Sequence, residues 1–311
     1  MNDSTLPDIL ISPRGMTNFG EWRELWAARD LWWFLVRRDL KTRYSQSVLG
    51  LGWAVLQPLF TTFIFTLIFG KLAGLASDGV PYNVWSLTAV VVWTYFQSAV
   101  NEAGNCLAAN IGVITKVYFP RLILPMAAVA GKIFDLMIMM ALLGLSLLFN
   151  HGQLLLAGCH LQISTLWVVP LGLAITTVAA QAAGLWLAAL SVQYRDVRVA
   201  QGFMLQLLMY ATPVIYSSSK IYAMHLHVVP ESWRSIGVIN SVANAIESLP
   251  WHEIYFLNPL AGVIEAMRAS LFGQNPVSYA HLALGGVVAL VGWVGGIWCF
   301  RRAENLVADV S

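Results

Sequence analysis

The residues with the strongest chemical character are charges set inside apolar sequence. Lys132 and Asp135 stand three apart within the run from Leu122 to Phe149, and Glu102 stands near the end of the run from Val84 to Leu107. A lone carboxylate in mid-bilayer costs about 2.5–3.5 kcal/mol on insertion scales, so Lys132 and Asp135, on one helix face, are expected to neutralise each other. A proton relay uses the same residue types, but a structural pair is the simpler use of one carboxylate and one lysine. A second concentration of charge lies in "RRDLKTRYSQSVLGLGWAVLQPLF". Arg37, Arg38, Lys41 and Arg43 come first, and then the chain turns to Gly, Leu, Trp and Phe. Cations beside a low-dielectric slab attract phosphate groups. The same cluster also satisfies the preference for Lys and Arg on the cytoplasmic side.

Other motifs are weaker. "NIGVITKVYFPRLILP", Asn110–Pro125, carries Lys116, Val117, Tyr118, Phe119 and Arg121 around Pro120. Large apolar residues flanked by cations suit docking of another protein. They equally suit an interface loop with a snorkelling lysine. Arg195, Asp196 and Arg198 read as a solvated turn. Trp53, Trp93, Tyr95 and Tyr210 present rings fit to line a sugar channel, or to form an interfacial belt. No G-x-x-x-x-G-K-[ST] occurs, so no phosphate cradle for ATP is expected on this chain. No H-E-x-x-H, G-x-S-x-G or metal-binding Cys/His spacing occurs either, so no metal site and no catalytic residues are expected.

The elements that must position these residues are membrane helices. The chain is 58% hydrophobic and 11% charged, against roughly 45–50% and 25% for soluble domains. Its net charge of +2 suggests no nucleic-acid partner. The expected fold is an all-α polytopic membrane protein with six transmembrane helices, near 49–72, 84–107, 122–149, 166–190, 199–215 and 282–300. Residues 1–48 form a cytoplasmic leader and a basic, Trp-rich amphipathic helix at the membrane surface. Its apolar stripe is read as Trp22, Leu25, Trp26, Trp33, Val36, Leu40 and Tyr44, with Leu31, Phe34 and Leu35 intruding on the polar side. The six-span transmembrane body covers 49–303 and a cytoplasmic tail covers 304–311. No signal peptide is read at the N-terminus. Most Lys and Arg fall on segments placed inside, which puts both termini in the cytoplasm. The outer segment 216–279 ends in "LNPLAGVIEAMRASLFG". There Asn258 and Pro259 open a helix, and Glu265 and Arg268 can pair one turn apart. It reads as a re-entrant or interfacial helix.

Four stretches occur in order: "RRDLKTRYSQSVLGLGWAVLQPL", "NCLAANIGVITKVYFPRLILP", "YRDVRVAQGFMLQLLMYATPVIY" and "LNPLAGVIEAMRASLFG". Together they resemble the permease of bacterial polysaccharide ABC exporters of the O-antigen, capsule and teichoic-acid types, over about Glu21 to Arg302. The resemblance implies a type-2 ABC exporter fold in the bacterial inner membrane, with re-entrant helices between spans five and six. It implies a second copy of the chain and two separate ATPase subunits, which carry ATP and Mg; no cofactor is implied on this chain. It assigns Lys116, Val117, Tyr118, Phe119 and Arg121 to ATPase coupling. The implied substrate is a glycan on a polyprenyl pyrophosphate or related lipid. Arg37, Arg38, Lys41 and Arg43 would meet its headgroup, and Asn258, Pro259, Glu265 and Arg268 would form the outer gate. "GVINSVANAIESLPWHEIYF" departs from the family pattern as an insertion. A permease for lipo-oligosaccharides or drugs, a multi-span transferase and a membrane scaffold are the competing readings.

Overall fold

A computed structural model describes residues 26–45, 50, 52–114, 119–194, 196–218 and 251–308. The leader, Lys116, Val117, Tyr118 and most of the apparent insertion lie outside the described residues. Every regular element among the described residues is helical. That is the expected answer for a chain whose backbone must satisfy its own hydrogen bonds in an apolar surround.

Helix α1 is Arg29–Ser45. Helix α2 is Gly52–Phe65 and runs on as the π-helical segment Thr66–Leu72. Helix α3 is Tyr82–Ala109, and the short α4, Ile111–Ile114, follows it. Helix α5 is Ile123–Phe149 and α6 is His151–Leu156. After a 3₁₀ turn at Ile163–Thr165 come α7, Val168–Gln193, and α8, Asp196–Tyr210. Three helices close the chain: α9, Trp251–Phe256; α10, Pro259–Phe272; and α11, Tyr279–Ala308.

Among the described residues, four segments are long and apolar enough to cross a membrane: Gly52–Leu72, Ile123–Phe149, Ile163–Gln193 and Tyr279–Glu304. They match the expected first, third, fourth and sixth segments closely. Helix α3 covers the expected second segment but is not among the four, because it carries Asn83, Gln97, Asn101, Glu102 and Asn105. Its surroundings explain why it can. It packs against α2, α5, α7, α8 and α10, and most of its residues from Val84 to Cys106 are buried. Protein rather than lipid surrounds it, so its amides and ring groups find partners. Tyr95, for example, pairs its hydroxyl with Thr177 Oγ1 of α7 at 3.0 Å.

The expected fifth segment needs correction. It was read as reaching Ile215, but α8 stops at Tyr210 and the chain passes through turns to Tyr216. Pro213 has no N–H to continue the ladder, and it biases Thr212 away from helical geometry. At about 22 Å, α8 is shorter than a hydrocarbon core of ~30 Å.

Helix α1 lies on α5, and its buried side differs from the expected stripe. Leu35 and Val36 are buried, with Ala28, Leu31, Trp32 and Leu40 packed beside them. Trp26, Trp33 and Phe34 are exposed. The stripe is therefore turned: Leu31 and Leu35, read as intruders, belong to the packed face. Trp33 lies on the open face, where the Arg37 guanidinium sits 4.8 Å from its ring centre.

At the opposite end of the bundle, α10 is wedged among α3, α7 and α11. Asn258 caps it by accepting from Leu260 N–H at 3.1 Å and donates to Thr212 Oγ1 at 2.8 Å; Pro259 occupies its first turn. Gly273 ends it in the left-handed region at φ 66°. Gly262 lets α11 approach closely, because a Cβ there would lie 2.5 Å from the His281 carbonyl oxygen. That neighbour is backbone and cannot swing away. Gly262→Val is expected to cost about 1–3 kcal/mol by overpacking. Thermal unfolding of the purified protein in detergent measures this as a lowered midpoint.

Candidate functional site

In the half of the bundle that holds α1 and the C-terminus of α3, four charges close into an alternating ring. Arg43 Nη1 of α1 is 2.9 Å from Asp135 Oδ2 of α5. Lys132 Nζ, also of α5, is 3.9 Å from the same oxygen and 3.3 Å from Glu102 Oε2 of α3. Arg43 Nη2 returns to Glu102 at 3.8 Å. Two cations and two anions cancel, which is the arrangement a poorly hydrated site requires. Asp135 and Lys132 have side chains only 14% and 12% exposed, whereas Glu102 is 44% exposed and reaches solvent at the rim. Tyr44 donates its hydroxyl to the other oxygen of Asp135. Burial and the neighbouring carboxylate push that hydroxyl up to about 12, so it stays a donor at neutral pH.

The expected Lys132–Asp135 pair is present but is the longest contact of the ring. The helix spacing put both groups on one face, and it gave no sign that Arg43 and Glu102 would take the shorter contacts. Tyr44 is expected only as part of the apolar stripe, and neither it nor Gln201 is expected in the site. Gln201, on α8, is 1% exposed and donates to Asn101 Oδ1 of α3 at 2.8 Å. A single amide in an apolar run was the available signal.

The basic cluster divides. Arg43 is committed to the ring. Arg38 donates to Asn110 Oδ1 at 2.6 Å and pairs with Asp39 at 2.9 Å. Arg37 and Lys41 are exposed on the open face of α1. Anion contact from this cluster therefore falls to Arg37 and Lys41. A small cavity of about 80 Å³ is lined by Arg38, Asp39 and Asn110 and by Glu102 of the ring, with Cys106 among its other walls.

Of the loop residues with an expected docking role, Lys116, Val117 and Tyr118 are outside the described residues. Phe119 corrects the expectation of an exposed anchor: it is 7% exposed and packs in this chain's own core. Arg121 lies 3.8 Å from Glu304 at the end of α11. Two of the four aromatics also differ from expectation. Trp93 and Tyr95 are buried, with Trp93 Nε1 donating to Gln97 at 3.1 Å, because α3 is the central helix. Trp53 and Tyr210 are exposed.

At the opposite end, Arg268 is 7% exposed, and its guanidinium carbon lies 3.3 Å from the Trp85 ring centre. Its Nε and Nη2 donate to the carbonyls of Trp85 and Val214 at 3.3 and 3.4 Å. The expected contact with Glu265 is replaced by these, and Glu265 instead accepts from the Ser218 hydroxyl. A helical spacing of three allows a pair, but burial against α3 offered Arg268 an aromatic face and two carbonyls.

Removing Arg43 leaves Asp135 buried with only Lys132 as a cationic neighbour. Arg43→Gln is expected to destabilise the protein by about 1–3 kcal/mol. The exposed Arg37→Gln is expected to stay within about 0.5 kcal/mol. Parallel thermal melts separate the two.

Comparison with known proteins fits this architecture. Residues 30–231 match the family model for the ABC-2 type transporter. A protein from Klebsiella pneumoniae called O-antigen export system permease protein RfbA is 24% identical over 281 residues, 90% of this chain and 95% of that relative. A protein of the same name from Myxococcus xanthus is 28% identical over 291 residues, 93% of this chain and 98% of that relative. The chain belongs to the ABC-2 type transporter family of membrane proteins.

Proposed function

We propose that this chain is the membrane-spanning permease subunit of an ATP-driven exporter. It moves a lipid-linked polysaccharide, a polyprenyl-pyrophosphate-linked glycan of the O-antigen or capsule kind, from the cytosolic to the outer face of a bacterial inner membrane. The observation that carries this reading is the match over nine-tenths of the chain to relatives named as O-antigen export permeases.

The working unit in this reading has two copies of the chain and two ATPase subunits. The absence of a phosphate-binding loop from the sequence supports a separate ATPase. The exposed apolar residues of α2 and α8, among them Trp53, Phe60, Phe63, Phe203 and Tyr210, support a facing second copy. Six spans, with α1 at the interface and α10 as a re-entrant helix, give this reading its topology. The basic end faces the cytosol, where Lys116, Val117, Tyr118 and Arg121 meet the ATPase. Arg37 and Lys41 attract the pyrophosphate headgroup. Asn258, Pro259, Glu265 and Arg268 belong to the outer gate, and their packing supports a stiff element there.

Deleting the gene in its native host is expected to abolish surface glycan, read by periodate–hydrazide labelling of intact cells. The tagged chain is expected to co-purify with a P-loop ATPase in equal amounts, and chelating Mg is expected to stop ATP hydrolysis by that complex. Unchanged surface glycan and no ATPase partner would sink the reading. Within it, Arg37→Gln with Lys41→Gln is expected to lower export several-fold while the complex still assembles. Normal export from that variant removes the headgroup role.

A further inference from the structure

We propose that the charge ring and the Arg38–Asn110 contact make α1, α3 and α5 one rigid transmitting unit, in which Arg43 and Asp135 are positioning residues for transport. The purpose given to this unit rests on the exporter reading; its rigidity does not.

Helices α3 and α5 flank the Asn110–Leu122 loop, so a push on the loop acts on both. Apolar contacts between α3 and α5 have no direction and allow sliding; Lys132 of α5 adds one directed contact, to Glu102 of α3 at 3.3 Å. Helix α1 bridges the two helices with further directed contacts. Asn110 closes α3 by sending its Nδ2 back to Cys106 O at 2.8 Å, which leaves Oδ1 to accept from Arg38. Five residues further along α1, Arg43 reaches both Glu102 of α3 and Asp135 of α5. Tyr44 adds a second bond to Asp135. Helix α1 thus grips α3 at two points and α5 at one. Asp135 lies twelve residues into α5 counted from Ile123, about 18 Å along the helix. The grip therefore acts well away from the loop and resists tilting as well as sliding. No comparable charge joins α8 to this group among the described residues; its polar contact with α3 runs through Gln201. Displacement of the loop then moves α1, α3 and α5 together relative to α8, a rigid-body shift of packed elements.

The test uses the chain in complex with its ATPase in native membranes. Arg43→Gln and Asp135→Asn are each expected to keep ATP hydrolysis within about twofold while surface glycan per ATP falls about tenfold. The swapped pair, Arg43→Asp with Asp135→Arg, is expected to restore most of that ratio. Glycan per ATP unchanged in the single variants, or hydrolysis lost in step with export, overturns the proposal. Should a single variant fail to accumulate, Tyr44→Phe removes one bond to Asp135 without unpairing a charge and is read the same way. A second arm needs no transport. Spin labels on Lys41→Cys and Met137→Cys, with Cys106, Cys159 and Cys299 replaced by Ser, report the α1–α5 distance. A narrow distribution is expected to broaden on Asp135→Asn, and one that stays narrow overturns the proposal. Surface glycan that survives deletion of the chain counts against the exporter reading alone, and the label distances then decide the unit.

Discussion

A charge removed from water must find an opposite charge or a dense set of hydrogen bonds, and the basic end of this bundle is arranged around that requirement. Asp135 stands in an apolar helix and cannot be hydrated there at small cost. Lys132, on the same helix, reaches it only at 3.9 Å. The remaining demand falls on another element, and α1 meets it with Arg43 and Tyr44. That contact fixes how far α1 runs along α5, and so which of its side chains are buried. Leu35 and Val36 face inward because Arg43 is held where it is. Trp33, Arg37 and Lys41 face outward for the same reason.

The central position of α3 follows from a second form of the same constraint. A helix surrounded by lipid must be apolar all round, whereas one surrounded by protein may carry amides wherever a neighbour answers them. Asn101 is answered by Gln201, and Tyr95 by Thr177. Hydropathy therefore ranks helices by contact with lipid and not by closeness to the core. The most buried of the long helices is the one that least resembles a membrane span.

This explains what was legible in the sequence. Long apolar runs announced α2, α5, α7 and α11 to within a few residues, because run length is a local property. The cap of α10 was legible for the same reason: Asn258 before Pro259 specifies a helix start without help from the rest of the chain. What failed depended on distant neighbours. The phase of α1 is not legible locally: its bulky Trp residues suggest the packed face, while α5 buries Leu35 and Val36 instead. Trp93 and Tyr95 were read as candidate channel residues because ring chemistry is visible in sequence and burial is not. The four basic residues before α2 looked equivalent. Two of them proved committed, but only Asp135 and Asn110, both distant in sequence, could reveal which two.

The two ends of the bundle are held by contacts that tie different helices together. In the ring, each cation faces both anions at 2.9 to 3.9 Å, so displacing any one of α1, α3 and α5 weakens contacts to the other two. Its energy therefore rises when α1, α3 and α5 move apart or past one another, and is unchanged when the three move together. At the other end, the Arg268 guanidinium carbon lies 3.3 Å from the Trp85 ring centre, Arg268 donates to two backbone carbonyls, and Gly262 brings α10 against the backbone of α11. These contacts have no near-equivalent partners to exchange with, and moving α10 would strand a desolvated cation. The basic end ties α1, α3 and α5 to one another, whereas the opposite end ties α10 to α3 through Arg268.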